Sequence, residues 1–274
     1  MSFRRRRKKK DKRRFRGVYL LPNLITTASL FAGFYAIVAA IDGRFHSAAI
    51  AILVSLVLDG LDGRVARMTQ STSDFGVQYD SLADLVSFGV APGILVYLWA
   101  LKPFHQFGWV ATFLFVVCGA LRLARFNVQQ GFHDPRYFNG LPIPAAATMI
   151  ATAIIFYYEI GEWAPERHVY ILAMIYLLSF LMVSNVKYVS FKKMDLFQRH
   201  PFHSLVGVVL VFVVVATAPT IMGFLLMAAY VASGPISTIM YYRRRALLEK
   251  GESESPQTKS GLDLSGGGEA GKQA

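Results

Sequence analysis

Residues 47–101 read SAAIAILVSLVLDGLDGRVARMTQSTSDFGVQYDSLADLVSFGVAPGILVYLWAL, two long and mainly apolar runs joined by a short polar segment. A helix rises about 1.5 Å per residue, so each run is long enough to cross a hydrocarbon layer of about 30 Å. The polar link at 69–74 is too short to separate the two helices, and Ser73 or Asp74 can cap the second one. The stretch therefore predicts an antiparallel helical hairpin in a membrane.

The rest of the chain extends this pattern, since 54% of its 274 residues are hydrophobic. The apolar runs are continuous and do not alternate with a period of two, which excludes a β-barrel. We predict an all-α polytopic membrane helix bundle of about eight transmembrane helices. The expected spans are 18–41, 46–68, 75–101, 106–126, 142–160, 168–188, 203–218 and 220–242. The last two, on either side of Pro219, could instead form one broken helix or a short re-entrant pair.

Positive charge predicts the orientation, because Lys and Arg accumulate in cytoplasmic loops. If both termini are cytoplasmic, all but three of the 29 Lys and Arg residues lie on the inner side. The three exceptions are Arg44, Lys102 and Arg167. We therefore expect an integral protein of the cell inner (cytoplasmic) membrane, with its functional site facing the cytoplasm.

The two ends of the chain differ from its middle. Residues 1–16 form a basic arm, expected to be disordered and to lie against anionic membrane lipids, and they supply much of the net charge of +12. A nucleic-acid role is the rival interpretation, which we reject because the arm leads directly into a span. The arm could also serve only to fix topology. Residues 17–245 are expected to form one transmembrane domain that carries the functional site, and the Gly- and Ser-rich residues 246–274 are expected to be a disordered tail.

Four aspartates lie where the hairpin reaches the inner side: Asp59, Asp62, Asp80 and Asp84. A charge within a membrane helix costs at least about 2.5 to 3.5 kcal/mol, so four together require a compensating partner. Spacings of three and four residues place each pair on one face of its helix. The short link brings the two pairs to similar depth and face to face.

The residue types indicate the partner. Carboxylates without nearby Cys or His make a hard oxygen site that suits Mg²⁺ or Mn²⁺, with Ca²⁺ possible, and disfavours zinc and copper. Four negative charges can hold two divalent ions, and two ions close together stabilise phosphoryl displacement. The structural alternative is that the acids form ion pairs with arginines. The candidates for such pairs are Arg64, Arg67, Arg122 and Arg125.

The acids belong to the pattern D-x2-D-G-x2-A-R-x8-G-x3-D-x3-D over residues 59–84. This pattern resembles the signature of the CDP-alcohol phosphatidyltransferase family. The resemblance implies a six-helix core, a homodimer, and four acids that bind two divalent ions bridging the diphosphate of a CDP-linked lipid. It also makes Asp84 the general base. The residues that it places along the nucleotide pocket are Gly63, Ala66, Arg67 and Gly76.

Further stretches are similar to the phosphatidylserine synthase branch of that family. They are LPNLITTASLFAGF (21–34), DLVSFGVAPG (84–93), ALRLARFN (120–127) and FNGLPIPAAA (138–147). This likeness implies that CDP-diacylglycerol and L-serine react to give phosphatidylserine and CMP, and that Asn23 faces the nucleotide. Arg122 and Arg125 are candidates for binding the serine carboxylate or a lipid phosphate, or they mark the membrane interface.

Two alternatives to this function stay open at the level of sequence. The same chemistry could use another acceptor alcohol, namely glycerol 3-phosphate, an inositol phosphate or an amino alcohol. A cation transporter could use the acids as an ion path. The transporter would distribute its acids through the depth of the bilayer, whereas these cluster near one face.

Overall fold

The computed structural model describes residues 20–69, 73–128, 137–161, 169–189 and 217–253. The basic arm, the predicted span at 203–218 except for its last two residues, and the tail beyond 253 lie outside the described residues.

Helices dominate the described chain. They are α1 (Leu20–Ile41), α2 (Phe45–Met68), α3 (Asp74–Asp84), α4 (Ala91–Val96), α5 (Gln106–Val128), α6 (Ile143–Glu159), α7 (Val169–Val183) and α8 (Pro219–Ser253). A π-helical turn, Leu85–Val90, joins α3 to α4. A second π turn, Tyr97–Leu101, and a 3₁₀ turn, Lys102–Phe104, follow α4, so that one continuous helix covers Asp74–Phe104. Strands β1 (Tyr137–Asn139) and β2 (Lys187–Val189) pair antiparallel, with Phe138 opposite Tyr188.

The predicted class is confirmed: this is an all-α polytopic membrane protein with one short two-stranded ribbon. Within the described residues, four helices are long and apolar enough to cross a membrane. They are Leu21–Ile41, Asp74–Phe104, Gln106–Val128 and Pro219–Thr238. Helix α2 is equally long, but acids and arginines occupy its C-terminal half, and α6 and α7 are shorter. The number of spans, eight, stays a prediction.

Helix α8 departs from the expected boundaries at its C-terminal end. It continues to Ser253, into the segment that composition assigned to a disordered tail beginning at residue 246. The sequence RRRALLEK at 243–250 explains the extension, because Arg, Ala, Leu, Glu and Lys are strong helix formers.

Small residues bring α1 and α2 together. Ala36 and Ala39 of α1 and Ala48 and Ala49 of α2 are fully buried, and small side chains allow membrane helices to approach closely. Gly43 makes the tight connection with a φ of 75°, a conformation that glycine adopts without steric cost. The hairpin thereby fixes α2, which carries the first two acids.

Three buried serines attach the third span to this hairpin. The hydroxyls of Ser29 in α1 and Ser55 in α2 lie 2.8 Å apart, and Ser87 donates to the Ser29 carbonyl at 3.3 Å. Ser87 belongs to the π turn that follows Asp84 directly. Since such turns are frequent at functional sites, this irregularity is a structural marker that the apolar pattern did not predict.

Candidate metal centre and adjoining cleft

Three of the four predicted acids converge. Asp59 and Asp62 project from α2 and Asp80 from α3, and one carboxylate oxygen from each lies within 4.8 Å of the other two. Ionised groups this close repel each other by at least about 3.5 kcal/mol per pair at an effective dielectric constant of about 20. A divalent cation with oxygen ligands at about 2.0 to 2.6 Å would relieve that repulsion.

Asp84 lies beside the trio, one helical turn after Asp80. Its carboxyl group is within hydrogen-bonding reach of Asp59, so the structure brings all four acids into one cluster. The arrangement follows from local sequence, because Ser73 caps α3 by accepting a hydrogen bond from the Gly76 amide at 3.0 Å. The cap starts the helix at the register that turns Asp80 and Asp84 toward α2.

The hydrogen bonding of the trio fits a cation-binding site. The Asp62 side chain is only 5% exposed, and its Oδ2 accepts a hydrogen bond of 2.7 Å from Thr26 in α1. Asp80 Oδ1 is buried without a hydrogen-bond partner among the described residues. A buried and unsatisfied carboxylate oxygen is costly, and a metal ion is the partner that an all-carboxylate donor set suits.

Ion pairing with arginine does not account for the cluster. Within the described residues, the one ion pair joins Arg44 and Asp42 at 2.8 Å, in the connection between α1 and α2. This pair lies at the opposite end of α2 from the acids. The alternative that the acids form ion pairs with arginines is therefore not supported by the described residues.

A cleft of about 210 Å³ opens beside the acids. Asp62 and Asp80 form part of its wall, so the acid trio and the cleft are continuous. All five residues that the resemblance assigned to the nucleotide pocket line it: Asn23, Gly63, Ala66, Arg67 and Gly76. A Cβ at Gly76 would lie 3.2 Å from Ser73 Oγ and 3.5 Å from Asn23 Oδ1, so a side chain there would narrow the cleft.

The two candidate arginines of α5 have different surroundings. Arg125 donates to Asn185 Oδ1 at 2.7 Å and to the Val183 carbonyl at 3.5 Å, so the segment after α7 holds its guanidinium. Arg122 lies within electrostatic range of Asp84, and its Nε is buried with no hydrogen-bond partner in the described chain. Only Arg122 thus combines proximity to the acids with an unsatisfied donor.

Comparison with known proteins agrees with this geometry. The sequence profile described as CDP-alcohol phosphatidyltransferase matches residues 19–183, which is more than half of the chain. The chain belongs to the CDP-alcohol phosphatidyltransferase family. A Helicobacter pylori (strain ATCC 700392 / 26695) protein named CDP-diacylglycerol--serine O-phosphatidyltransferase is 45% identical over 178 residues, 64% of this chain and 74% of the relative.

Two further relatives extend the comparison. A Bacillus subtilis (strain 168) protein of the same name is 36% identical over 178 residues, covering 63% of this chain and 92% of the relative. The archaetidylserine synthase of Methanothermobacter thermautotrophicus is 38% identical over 170 residues, covering 61% of this chain and 69% of the relative.

Some residues next to the acids of this CDP-alcohol phosphatidyltransferase were not predicted from the sequence. Thr26 donates a hydrogen bond to Asp62. The sequence feature that could have identified Thr26 is its polar side chain, one turn after Asn23 in an apolar span. Asn127, the last residue of the stretch ALRLARFN, donates a hydrogen bond of 2.9 Å to Ser81. Ser81 lies between Asp80 and Asp84 in sequence. No spacing rule connects residues so far apart in the chain.

Proposed function

We propose that this protein is an integral-membrane phosphatidyltransferase that makes phosphatidylserine and CMP from CDP-diacylglycerol and L-serine. The observation that carries the proposal is the acid trio, two members of which, Asp62 and Asp80, line a cleft. A CDP-linked lipid presents a diphosphate, which needs cations, joined to a nucleoside, which needs a cleft. The names of the relatives supply the support for serine as the acceptor.

Asp59, Asp62 and Asp80 would hold the metal, with Asp84 at the edge of the set. The donor set fits Mg²⁺ or Mn²⁺, with Ca²⁺ possible, and four carboxylates have charge enough for two divalent ions. When bound, such ions neutralise charge on the diphosphate and on the departing phosphate. Thr26 keeps Asp62 oriented toward the trio through its 2.7 Å hydrogen bond.

The cleft would receive the nucleotide end of the lipid donor. Gly63 and Ala66 offer little side-chain bulk, and Gly76 lets a ligand approach the first turn of α3. Asn23 supplies amide hydrogen-bonding groups, and Arg67 supplies a cation suited to phosphate. We assign these five residues to CDP-lipid binding.

Asp84 would act on the acceptor. Its carboxylate takes the proton of the serine hydroxyl as the hydroxyl oxygen attacks the phosphorus on the lipid side of the diphosphate. A new phosphorus–oxygen bond to serine forms while the bond to the CMP oxygen breaks. Asp84 lies beside Asp59 and outside the closest group of three, and this position supports the role of a base.

Serine also carries a carboxylate, and a planar guanidinium can grip a carboxylate with two hydrogen bonds. Arg122 is the better placed of the two arginines in α5, since Arg125 already binds Asn185. Either could instead bind a lipid phosphate. In this proposal both termini and the site face the cytoplasm, the basic arm contacts anionic lipids, and the enzyme works as a homodimer.

The test is CMP release by the purified full-length protein in liposomes that contain CDP-diacylglycerol. We expect release to require L-serine together with Mg²⁺ or Mn²⁺, to stop with a chelator, and to resume when the metal is restored. Glycerol 3-phosphate, inositol phosphate and ethanolamine are supplied in turn as matched acceptors. Release with one of these and none with serine would overturn the acceptor assignment.

A second measurement covers the non-enzymatic alternative. The same liposomes are loaded with a cation-sensitive dye, and flux is followed for the parent and for Asp84→Asn. Metal-dependent CMP release without flux is expected. If flux persists in the variant and the parent releases no CMP with any acceptor, the protein is a cation transporter and the enzyme assignment is wrong.

A further inference from the structure

Two adjacent threonines near the start of α1 connect that helix to both of its neighbours at the cleft. Thr26 donates to Asp62 of α2 at 2.7 Å, and the hydroxyl of Thr27 lies 2.9 Å from that of Tyr79 in α3. The first bond involves the acid trio. The second lies outside the trio, but Thr27 follows by one helical turn Asn23, which lines the cleft.

The direction of the bond between Thr27 and Tyr79 follows from the hydrogens that are present. The Thr27 hydroxyl donates to the Asn23 carbonyl at 2.7 Å. A threonine hydroxyl has one hydrogen and can accept further bonds, so the hydrogen in the 2.9 Å bond comes from Tyr79. Two successive hydrogen bonds, which we call the hydroxyl relay, thus run from Tyr79 through Thr27 to the backbone of Asn23.

The ring of Tyr79 is held by a neighbour on its own helix. It stacks on the ring of Phe75, one turn earlier in α3, with the centroids 6.0 Å apart and the planes within 7° of parallel. Such a stack stabilises both rings beyond the area that they bury. It limits the freedom of the phenol group and keeps the Tyr79 hydroxyl directed at α1.

The side chain of Asn23 makes a second contact between the same two helices. Its Oδ1 lies 3.5 Å from the position that a Cβ would take at Gly76, in the first turn of α3. A hydroxyl that bonds to the carbonyl four residues earlier often bends a helix. The bond from Thr27 therefore influences where the first turn of α1 directs Asn23.

The hydroxyls of the relay do not form the cleft themselves. Within the described residues, the cleft wall includes Asn23 but neither Thr27 nor Tyr79. Thr27 is also exposed, so the relay is not explained by the need to satisfy a buried polar group. An effect of either hydroxyl on a ligand in the cleft has to pass through Asn23.

We infer that Tyr79 is a positioning residue, which through Thr27 holds Asn23 in the orientation that binds the CDP end of the lipid donor. The inference rests on the proposed function, since it takes the cleft as the nucleotide site. It gives the relay a part in donor affinity and none in the chemistry at Asp84. Donor binding should therefore change while turnover at saturating donor does not.

The experiment measures donor binding and turnover separately on the full-length protein in detergent micelles. Equilibrium binding of CDP-diacylglycerol, with Mn²⁺ present and no acceptor, gives the Kd of the donor. CMP release with L-serine gives kcat and the KM of each substrate. The binding measurement does not depend on which acceptor the enzyme uses.

Two variants break the relay and two serve as controls. Tyr79→Phe removes one hydroxyl and keeps the stacked ring, and Thr27→Val removes the central hydroxyl. Thr27→Ser keeps that hydroxyl. Tyr176→Phe is the matched loss of a tyrosine hydroxyl elsewhere, since Tyr176 bonds to the Phe107 carbonyl at the N-terminal end of α5. The opposite end of α5 is the one that contacts the acid-bearing α3, through Asn127.

We expect Tyr79→Phe and Thr27→Val each to raise the Kd and the KM for CDP-diacylglycerol about fivefold, the effect of one lost hydrogen bond. The KM for L-serine and kcat should stay at the parent values. Thr27→Ser and Tyr176→Phe should bind the donor as the parent does. The double variant should bind no more weakly than either single one, because both substitutions interrupt the same relay.

A further pair of variants tests the path through Asn23. Asn23→Ala keeps the backbone carbonyl that the relay reaches and removes the side chain that the relay is inferred to orient. It should weaken donor binding, and Tyr79→Phe should add no further loss in that background. An additional loss of the usual size would overturn the inference, because Tyr79 would then act on the donor by another route.

An unchanged donor Kd in Tyr79→Phe and in Thr27→Val would overturn the inference and leave the proposed function intact. A fall in kcat, or equal increases in KM for donor and serine, would also overturn it, because the relay would then support the fold as a whole. If Tyr79→Phe does not fold, Thr27→Val compared with Thr27→Ser decides.

The two proposals can fail separately. A parent that binds CDP-diacylglycerol but releases no CMP with serine would refute serine as the acceptor, and the Kd values would still decide the role of Tyr79. A parent that does not bind CDP-diacylglycerol would refute the proposed function and the inference together.

Discussion

Thr26 of α1 donates its hydroxyl hydrogen to Asp62 of α2 across 2.7 Å, and both side chains are 5% exposed. The bond joins α1 to the acid-bearing face of α2. The same threonine lines the cleft, so one side chain borders both the acid trio and the cleft. Groups that hydrogen-bond to metal ligands orient them, and losing such a group usually costs about 10- to 100-fold in metal affinity or activity.

Thr26→Val should therefore raise the metal concentration required for half-maximal activity by about 10- to 100-fold. Valine keeps the shape and leaves Asp62 without its donor. The measurement is CMP release during a Mn²⁺ or Mg²⁺ titration. Thr26→Ser, which keeps the hydroxyl, should titrate close to the parent. Identical metal titrations for the valine variant and the parent would exclude an orienting role for Thr26.

Asp84→Asn should reduce turnover by about 10²- to 10⁴-fold, because an amide cannot take the proton of the acceptor hydroxyl. Three carboxylates remain, so metal-dependent binding of CDP-diacylglycerol should persist in part. Single-turnover CMP release and equilibrium binding of the lipid donor measure the two effects separately.

The matched control for that variant is Asp74→Asn. Asp74 is an exposed aspartate in the first turn of the same helix, outside the trio. It should retain turnover within about twofold, since a surface charge at a helix start contributes at most about 1 kcal/mol. If Asp84→Asn retains activity close to that of the parent, Asp84 is not the general base.

The helical spacing of the aspartates explains which parts of the site could be predicted from the sequence. The spacings of Asp59 with Asp62 and of Asp80 with Asp84, together with a six-residue link, leave little freedom in how the two helices meet. Their convergence follows from local geometry, as the structure has it. Helices are likewise present at the first six predicted spans, because apolar runs of that length have few alternatives in a membrane. The sixth, predicted over 168–188, ends at Val183, and Lys187 begins strand β2.

Long-range packing explains what could not be predicted. Arg122 and Arg125 occupy equivalent positions one turn apart, and only the path of the chain after α7 decides that Asn185 binds the second of them. The π turn at Leu85–Val90 and the hydrogen bond from Asn127 to Ser81 also depend on how separate helices meet. The hydrophobic pattern and the spacing of residues in the sequence do not predict such contacts.

Gly33→Ala should destabilise the protein by about 1 to 3 kcal/mol, the usual cost of overpacking. A Cβ at Gly33 would lie 2.7 Å from the Ser87 Cα and 2.8 Å from its Cβ, so α1 and the π turn would have to separate. The midpoint of thermal unfolding in detergent measures the effect. Gly60→Ala is the control, since nothing lies within 4 Å of its added carbon. Equal midpoints for both variants would show that the Gly33 contact relaxes without cost.

The hydrogen bond from Asn127 Nδ2 to Ser81 Oγ, 2.9 Å long, predicts a coupled effect on catalysis. Ser81 lies between Asp80 and Asp84 in α3, and its own hydroxyl donates to the Val77 carbonyl. Losing one hydrogen bond costs about 1 kcal/mol, so Asn127→Ala and Ser81→Ala should each lower kcat/KM about fivefold. The double variant should lose little more than either single one, because each substitution removes the same interaction.

The four kcat/KM values form a double-mutant cycle, measured as CMP release at saturating metal. Gln78→Ala, which changes an exposed polar side chain of the same helix, is the control and should stay within about twofold of the parent. Fully additive losses in the double variant would mean that Asn127 acts elsewhere than through Ser81. A coupled loss would instead show that the C-terminal end of α5 holds the acid-bearing turn of α3 in its catalytic register.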